Sequence, residues 1–220
     1  MTDAVYRLDD VHVEDAARIL TRAFFDYPMW TWILPDEAHR RRALPAVLRA
    51  SVRWGLLMGE SFGYGDPLSA VAIWAPPGQA DRDLDLGADG EDPALAGPDG
   101  TMTGWNGVVT ALGEEPMSRF ETFVAAQRPF RDALIPEGGW YLPWLGVDPA
   151  VQRTGAGSAL LRHMFERLDP EGRAIYLETE KEANVPYYLG HGFRLVHEGT
   201  LPEDGPPFWC LLRTPPGARS

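Results

Sequence analysis

Several ordinary features are scarce in this chain, and each scarcity excludes something. It has one cysteine in 220 residues, so no intrachain disulfide can form. That residue, Cys210, lies in the apolar stretch FWCLL, where a buried structural thiol is the expected role rather than a nucleophile. No apolar run approaches the ~20 residues that cross a bilayer, so no membrane association is expected. The opening MTDAVYRLDD lacks the basic and apolar regions of a secretory leader, which makes the cytoplasm the expected location. Basic charge is also short: the formal net charge is −12. Phosphate neutralisation needs a basic face, so nucleic acid is not an expected partner. Much of the excess is local. Residues 81–99 hold Asp81, Asp83, Asp85, Asp89, Glu91, Asp92 and Asp99 against Arg82, a net of −6. With its Gly and Pro, this stretch reads as part of a mobile acidic surface loop, about 77–101, inside a single domain spanning 1–220.

The rest is ordinary globular sequence, 45% hydrophobic and 24% charged. Val5 to Leu8 reads as a strand, and Val13, Ala16, Ala17, Leu20, Ala23 and Phe24 recur at helical spacing. FDYPMWTWILPD looks irregular because Pro28 and Pro35 interrupt it, and a helix is expected over 36–58, kinked or restarted near Pro45. Two strands flank Gly65-Asp66-Pro67, and helices are expected at about 103–112 and 116–133. The best-patterned part follows: a strand (140–147), a glycine turn, a helix (155–168), a strand (174–179), a short helix (184–190) and two closing strands, 193–198 and 208–213. This order describes an α+β protein with helices on both faces of one sheet.

Within WLGVDPAVQRTGAGSALLRHMF, Asp148-Pro149 turns the chain out of a strand, and Gly155 and Gly157 leave backbone N–H groups uncovered at a helix start. A turn of this kind either cradles a phosphate or simply reverses the chain. It is neither a Walker loop nor a three-glycine dinucleotide fingerprint.

The segment Gln152-Arg153-Thr154-Gly155-Ala156-Gly157 resembles the Gln/Arg-x-x-Gly-x-Gly/Ala signature of the GNAT superfamily of acetyl-CoA-dependent N-acetyltransferases. LET (177–179), N-x-P-Y-Y (184–188) and Gly192-Phe193 follow at that superfamily's spacing. Within it, AFFDYP (23–28), AVAIW (70–74), WYL…LGV (140–147) and LPEDGPPFWCLLRTPPGA (201–218) make the chain look like the branch containing puromycin N-acetyltransferase. The resemblance implies a mixed, mostly antiparallel seven-strand sheet splayed in the middle. It implies acetyl-CoA as cosubstrate, with its pyrophosphate on Arg153, Thr154, Gly155, Ala156, Gly157 and Ser158. The pantetheine arm would run along the backbone of Leu145, Gly146 and Val147, with Asn184 beside it. Tyr188 would be the phenol that protonates the departing thiolate, whereas the reading from the residues alone would leave it a packed aromatic. Leu189-Gly190-His191 departs from the acidic and apolar residues usual there.

Acetyl transfer also needs a base. Glu178, on the strand after the glycine helix, and His197, on the next strand, are the candidates, each also readable as structural. Tyr27, Trp30 and Trp32 form an aromatic cluster that either lines an acceptor pocket or anchors a loop, whereas Trp74, Trp140 and Trp144 read as core. The expected acceptor is a small-molecule primary amine, among them an aminonucleoside-like antibiotic. The expected assembly is a monomer or homodimer, without a metal. A non-catalytic acyl-CoA sensor and a protein or peptide N-acetyltransferase are the alternatives.

Overall fold

The computed structural model describes residues 5–58, 60–80, 105–202 and 204–216. The acidic stretch 81–99 therefore lies outside the described residues. Among the described residues seven strands form one sheet in the order β1-β2-β3-β4-β5-β7-β6. They are β1 (Val5–Arg7), β2 (Ser61–Tyr64), β3 (Ala70–Ala75), β4 (Trp140–Val147), β5 (Ile175–Thr179), β6 (Arg194–Thr200) and β7 (Pro207–Arg213). Every pairing is antiparallel except β4 with β5.

The period-2 geometry of a strand divides the core into two layers. On β3, Val71, Ile73 and Ala75 face one cluster, and Ala70, Ala72 and Trp74 face the other. The first layer holds α1 (Val13–Phe24), α2 (Pro28–Ile33), α3 (Glu37–Met58), α4 (Trp105–Leu112) and α5 (Glu114–Leu134). The second holds α6 (Ala156–Leu168) and the short α7 (Val185–Gly190). Ala16, Ala17, Ile19 and Leu20 of α1 are buried at helical spacing against the sheet. A Cβ at Gly146 of β4 would stand 2.6 Å from Leu20 Cδ2, so glycine there lets α1 approach the strand backbone.

One reading of the sequence changes here. The stretch around Trp30 is helical: Pro28 sits in the first turn of α2, where its missing N–H costs nothing, and Met29, Trp30 and Ile33 are buried. The helix over 37–58 continues through Pro45, with Leu44, Val47 and Leu48 packed in the core on either side of it. No helix among the described residues is long and apolar enough to cross a membrane.

Candidate active site

The site begins where two strands stop pairing. β4 and β5 are in register only at Trp140↔Ile175 and Tyr141↔Tyr176. Beyond that, β4 stays with β3 through Trp144, Leu145, Gly146 and Val147 and leaves β5. Pro143, which has no N–H to offer, lies where the strands have parted. The gap forms a cavity of about 650 Å³.

At one end lies the glycine turn. Arg153 has φ 65° and Gly155 has φ 97°, so two of three consecutive peptides are turned by left-handed residues. A non-glycine residue held there costs about 1–3 kcal/mol, which the turn stores. Such turns aim successive N–H groups at one point. The first backbone bond of α6 runs from Ala159 N–H to Gly155 O at 2.9 Å, and no side chain caps the helix. The N–H groups of Ala156, Gly157 and Ser158 are thus left without an intrahelical acceptor at the positive end of the helix. Gly157 is close-packed: a Cβ there would meet Tyr187 Oη at 3.0 Å and Val147 Cγ2 at 3.3 Å. His191 also reaches this end, with Nε2 2.9 Å from Ser158 Oγ and Nδ1 2.8 Å from the Tyr187 carbonyl.

In the middle stands Tyr188, 8% exposed, wedged edge-on against Tyr187 and Phe193. Burial first, then the nearby Tyr187 and Glu180, push its hydroxyl well above the ordinary phenol value. It therefore stays protonated throughout the neutral range. No hydrogen bond of its hydroxyl occurs among the described residues. Asn184, at the start of α7 without capping it through its side chain, donates from Nδ2 to Thr179 Oγ1 at 3.1 Å.

The far end carries the carboxylates. Glu178 accepts from the Tyr176 hydroxyl at 3.1 Å and lies 3.7 Å from Arg131 Nη1. Glu180, just past β5, accepts from Gln127 Nε2 at 2.6 Å. Gln127 and Arg131 are four apart, hence on one face of α5. Burial is the main reason the Glu180 carboxyl is raised to about 7; the Glu178 charge adds to it, while the Gln127 bond and Arg131 oppose it.

The structure therefore brings together most of the residues singled out from sequence. Tyr188, Glu178, Asn184, Leu145, Val147, Tyr27, Arg153, Gly155, Ala156, Gly157 and Ser158 all line the cavity. Four others do not. Gly146 is buried beneath α1, and Thr154 closes the turn from outside through Oγ1 to the Val151 carbonyl at 2.8 Å. Trp30 is fully buried and stacks between Phe120 and Trp144, while Trp32 packs at the core margin. His197 lies across the sheet edge, its ring 4.0 Å from Phe130, away from the cavity. Strand order is the reason: β6 joins the sheet beyond β7, two strands from the gap.

Tyr27 lines the cavity, and its hydroxyl is engaged elsewhere. Its hydroxyl is 2.6 Å from Thr179 Oγ1 and accepts from Glu180 N–H at 3.1 Å, which ties α2 to the end of β5. Trp144, read from sequence as core, lines the cavity instead. Sequence reasoning passed over Glu180, Gln127, Arg131, Phe24 and Phe123. One signal for Glu180 was present: it is two residues from Glu178, on the same face of an extended chain. Among the described residues no His, Cys, Asp and Glu group could hold a metal ion.

Comparison with known proteins agrees with this geometry. Residues 117–193 match the model of the Acetyltransferase (GNAT) family. The chain is 24% identical over 228 residues to an uncharacterized N-acetyltransferase of Schizosaccharomyces pombe, covering 96% of this chain and 83% of the relative. A Corynebacterium glutamicum structure described as histone acetyltransferase HPA2 and related acetyltransferase superposes with a TM-score of 0.68 at 21% identity, over 100% of this chain and 99% of that one. Drosophila melanogaster polyamine N acetyltransferase, which catalyses formation of N acetylagmatine, gives 0.60 at 11% identity over 96% and 99% of the two chains. The splayed sheet and the matched segment define the class: an acyltransferase with the GNAT fold. That segment runs from α5 to the end of α7 and so carries every cavity wall except the one α1 and α2 supply. Proteins of this fold use acetyl-CoA as cosubstrate.

Proposed function

We propose that this protein transfers acetyl from acetyl-CoA to the primary amine of a small molecule, by direct attack, in the cytoplasm. The observation that carries the reading is the single cavity that runs from the uncapped start of α6, past the Tyr188 hydroxyl, to the buried carboxyl of Glu180. The N–H groups from Arg153 to Ser158 suit a pyrophosphate, and the edge of β4 that β5 has left suits an extended amide chain. When bound, acetyl-CoA supplies an activated thioester. Glu180, with its carboxyl near 7, takes the proton that an ammonium must lose before it can attack. Tyr188 holds a proton for the leaving sulfur; phenol and thiol have ordinary values of about 10 and 8.5, close enough for easy transfer.

A covalent route through the cysteine is unsupported. Cys210 is fully buried in β7, outside the cavity lining, and burial pushes its thiol up to about 12. An aminonucleoside-like antibiotic, the acceptor that the branch resemblance implies, belongs in any panel of trial amines.

Coenzyme A binding tests the reading most directly. A Val at position 157 would drive a branched side chain toward Tyr187 Oη and Val147 and cover the N–H groups of the turn. Gly157→Val should weaken coenzyme A binding by about 10²-fold in calorimetry, the loss expected for one or two hydrogen bonds to a charged group. Unchanged affinity in a variant with unaltered circular dichroism would place the pyrophosphate elsewhere. Thiol release from acetyl-CoA with an amine present separates an enzyme from a silent acyl-CoA sensor.

A further inference from the structure

We infer that the acceptor is a monocationic primary amine with a flat apolar body, its ammonium docked on Glu180, and that di- and polyamines are poor substrates; this rests on the acetyl-transfer reading of the same cavity. The charges in the lining lead there. Among the described lining residues the carboxylates are Glu178 and Glu180. Glu178 lies beside the Arg131 guanidinium and accepts from Tyr176. Glu180 has a neutral side-chain partner, the Gln127 amide, so it is the carboxylate left to balance a substrate cation. One ammonium is provided for.

The wall beside it makes no provision for a second. Phe24, Tyr27, Met29, Phe123, Val124 and Trp144 line that part of the cavity. Phe24 meets Tyr27 and Trp144 edge-on, at ring separations of 5.0 and 5.1 Å. The hydrogen-bond acceptor of this wall, the Tyr27 hydroxyl, already serves Thr179 and the Glu180 N–H, and the Trp144 indole N–H can only donate. A flat ring can lie against such a surface with its face on apolar side chains. A second ammonium would be stripped of water there with no counter-charge, and Arg131 would repel it. The Drosophila relative in fold, which acts on agmatine, would thus differ from this chain in acceptor class.

Initial rates of thiol release with acetyl-CoA, using the full chain with 2-phenylethylamine, agmatine and spermidine in turn, test the inference. kcat/KM for 2-phenylethylamine should exceed that for agmatine by about 10²-fold, the penalty of one unpaired desolvated charge. Equal or better use of agmatine or spermidine overturns it. Phe123→Glu adds a carboxylate to the half-buried wall and should shrink the ratio at least about tenfold; a folded variant with the ratio unchanged would also overturn it. If no amine releases thiol, calorimetric titration of the same amines into the coenzyme A complex gives the order directly. Tight binding of 2-phenylethylamine alone supports the inference, and binding of neither class overturns it while the coenzyme site stands. Failure of coenzyme A itself to bind brings down the acetyl-transfer reading, and this inference with it.

Discussion

Tyr188→Phe should lower turnover by about 10²–10⁴-fold, the usual contribution of a positioned general acid, while coenzyme A affinity changes little. The ring is packed in the second core layer against Tyr187 and Phe193, and Phe preserves that packing. Its hydroxyl makes no hydrogen bond among the described residues, so removing it strands no partner, and the melting temperature should stay nearly constant. Acetyl transfer ends by expelling a thiolate, and a variant without the phenol must draw that proton from water. Tyr187→Phe is the control. The Tyr187 hydroxyl lies over the glycine turn, 3.4 Å from Ser158 Oγ, so its loss should touch coenzyme binding more than turnover. Normal turnover in the 188 variant with impaired turnover in the 187 variant would move the proton donor one residue. Normal turnover in both would remove a tyrosine from the mechanism.

Glu180→Gln is expected to cost a similar factor, about 10²–10⁴ in kcat/KM, and to change two pH dependences at once. In the unaltered enzyme kcat/KM should rise with pH through about 7, as the Glu180 carboxyl loses its proton and becomes a base. The Gln variant should lack that limb. If the limb persists, the base is another group, with Glu178 the next to test. Stability gives an independent reading. A carboxyl raised from 4.5 to about 7 on folding binds its proton more tightly in the native state. Its burial is therefore tolerated below about 4.5 and becomes destabilising as pH rises to about 7, with a total on the order of 3 kcal/mol. Gln is neutral at every pH, so the stability of Glu180→Gln relative to the parent should climb between those limits and level off above them. A difference independent of pH in urea unfolding would mean that Glu180 titrates normally.

The elements nearest the chemistry were the most legible. The strand 140–147 and the turn after it coincide in sequence reading and structure, because Asp148-Pro149 and the glycines act through local backbone geometry alone. Alternation on β3 and helical spacing in α1 and α6 are likewise local, and they assign core faces without reference to distant residues. The aromatic stretch of α2 was harder. Pro28 breaks a helix from within but starts one at its first turn, and the choice depends on α3 and α5 covering Met29, Trp30 and Ile33.

Outside α2, local pattern determined the succession of strands and helices, the left-handed turn at Gly155 and the placing of Tyr188 on the helix that follows β5. Such features depend on steric and hydrogen-bonding preferences within a few residues. Tertiary structure alone decided where β4 leaves β5, and so where the cavity lies. It took His197 out of reach by ordering β7 between β5 and β6. It brought Gln127 and Arg131 over Glu180 and Glu178, 53 and 47 positions along the chain, and enclosed one carboxyl deeply enough to raise it to about 7. Burial and charge are properties of what surrounds a group in space, and for Glu180 those surroundings come from α5 and from Tyr27 at the start of α2 as well as from Glu178.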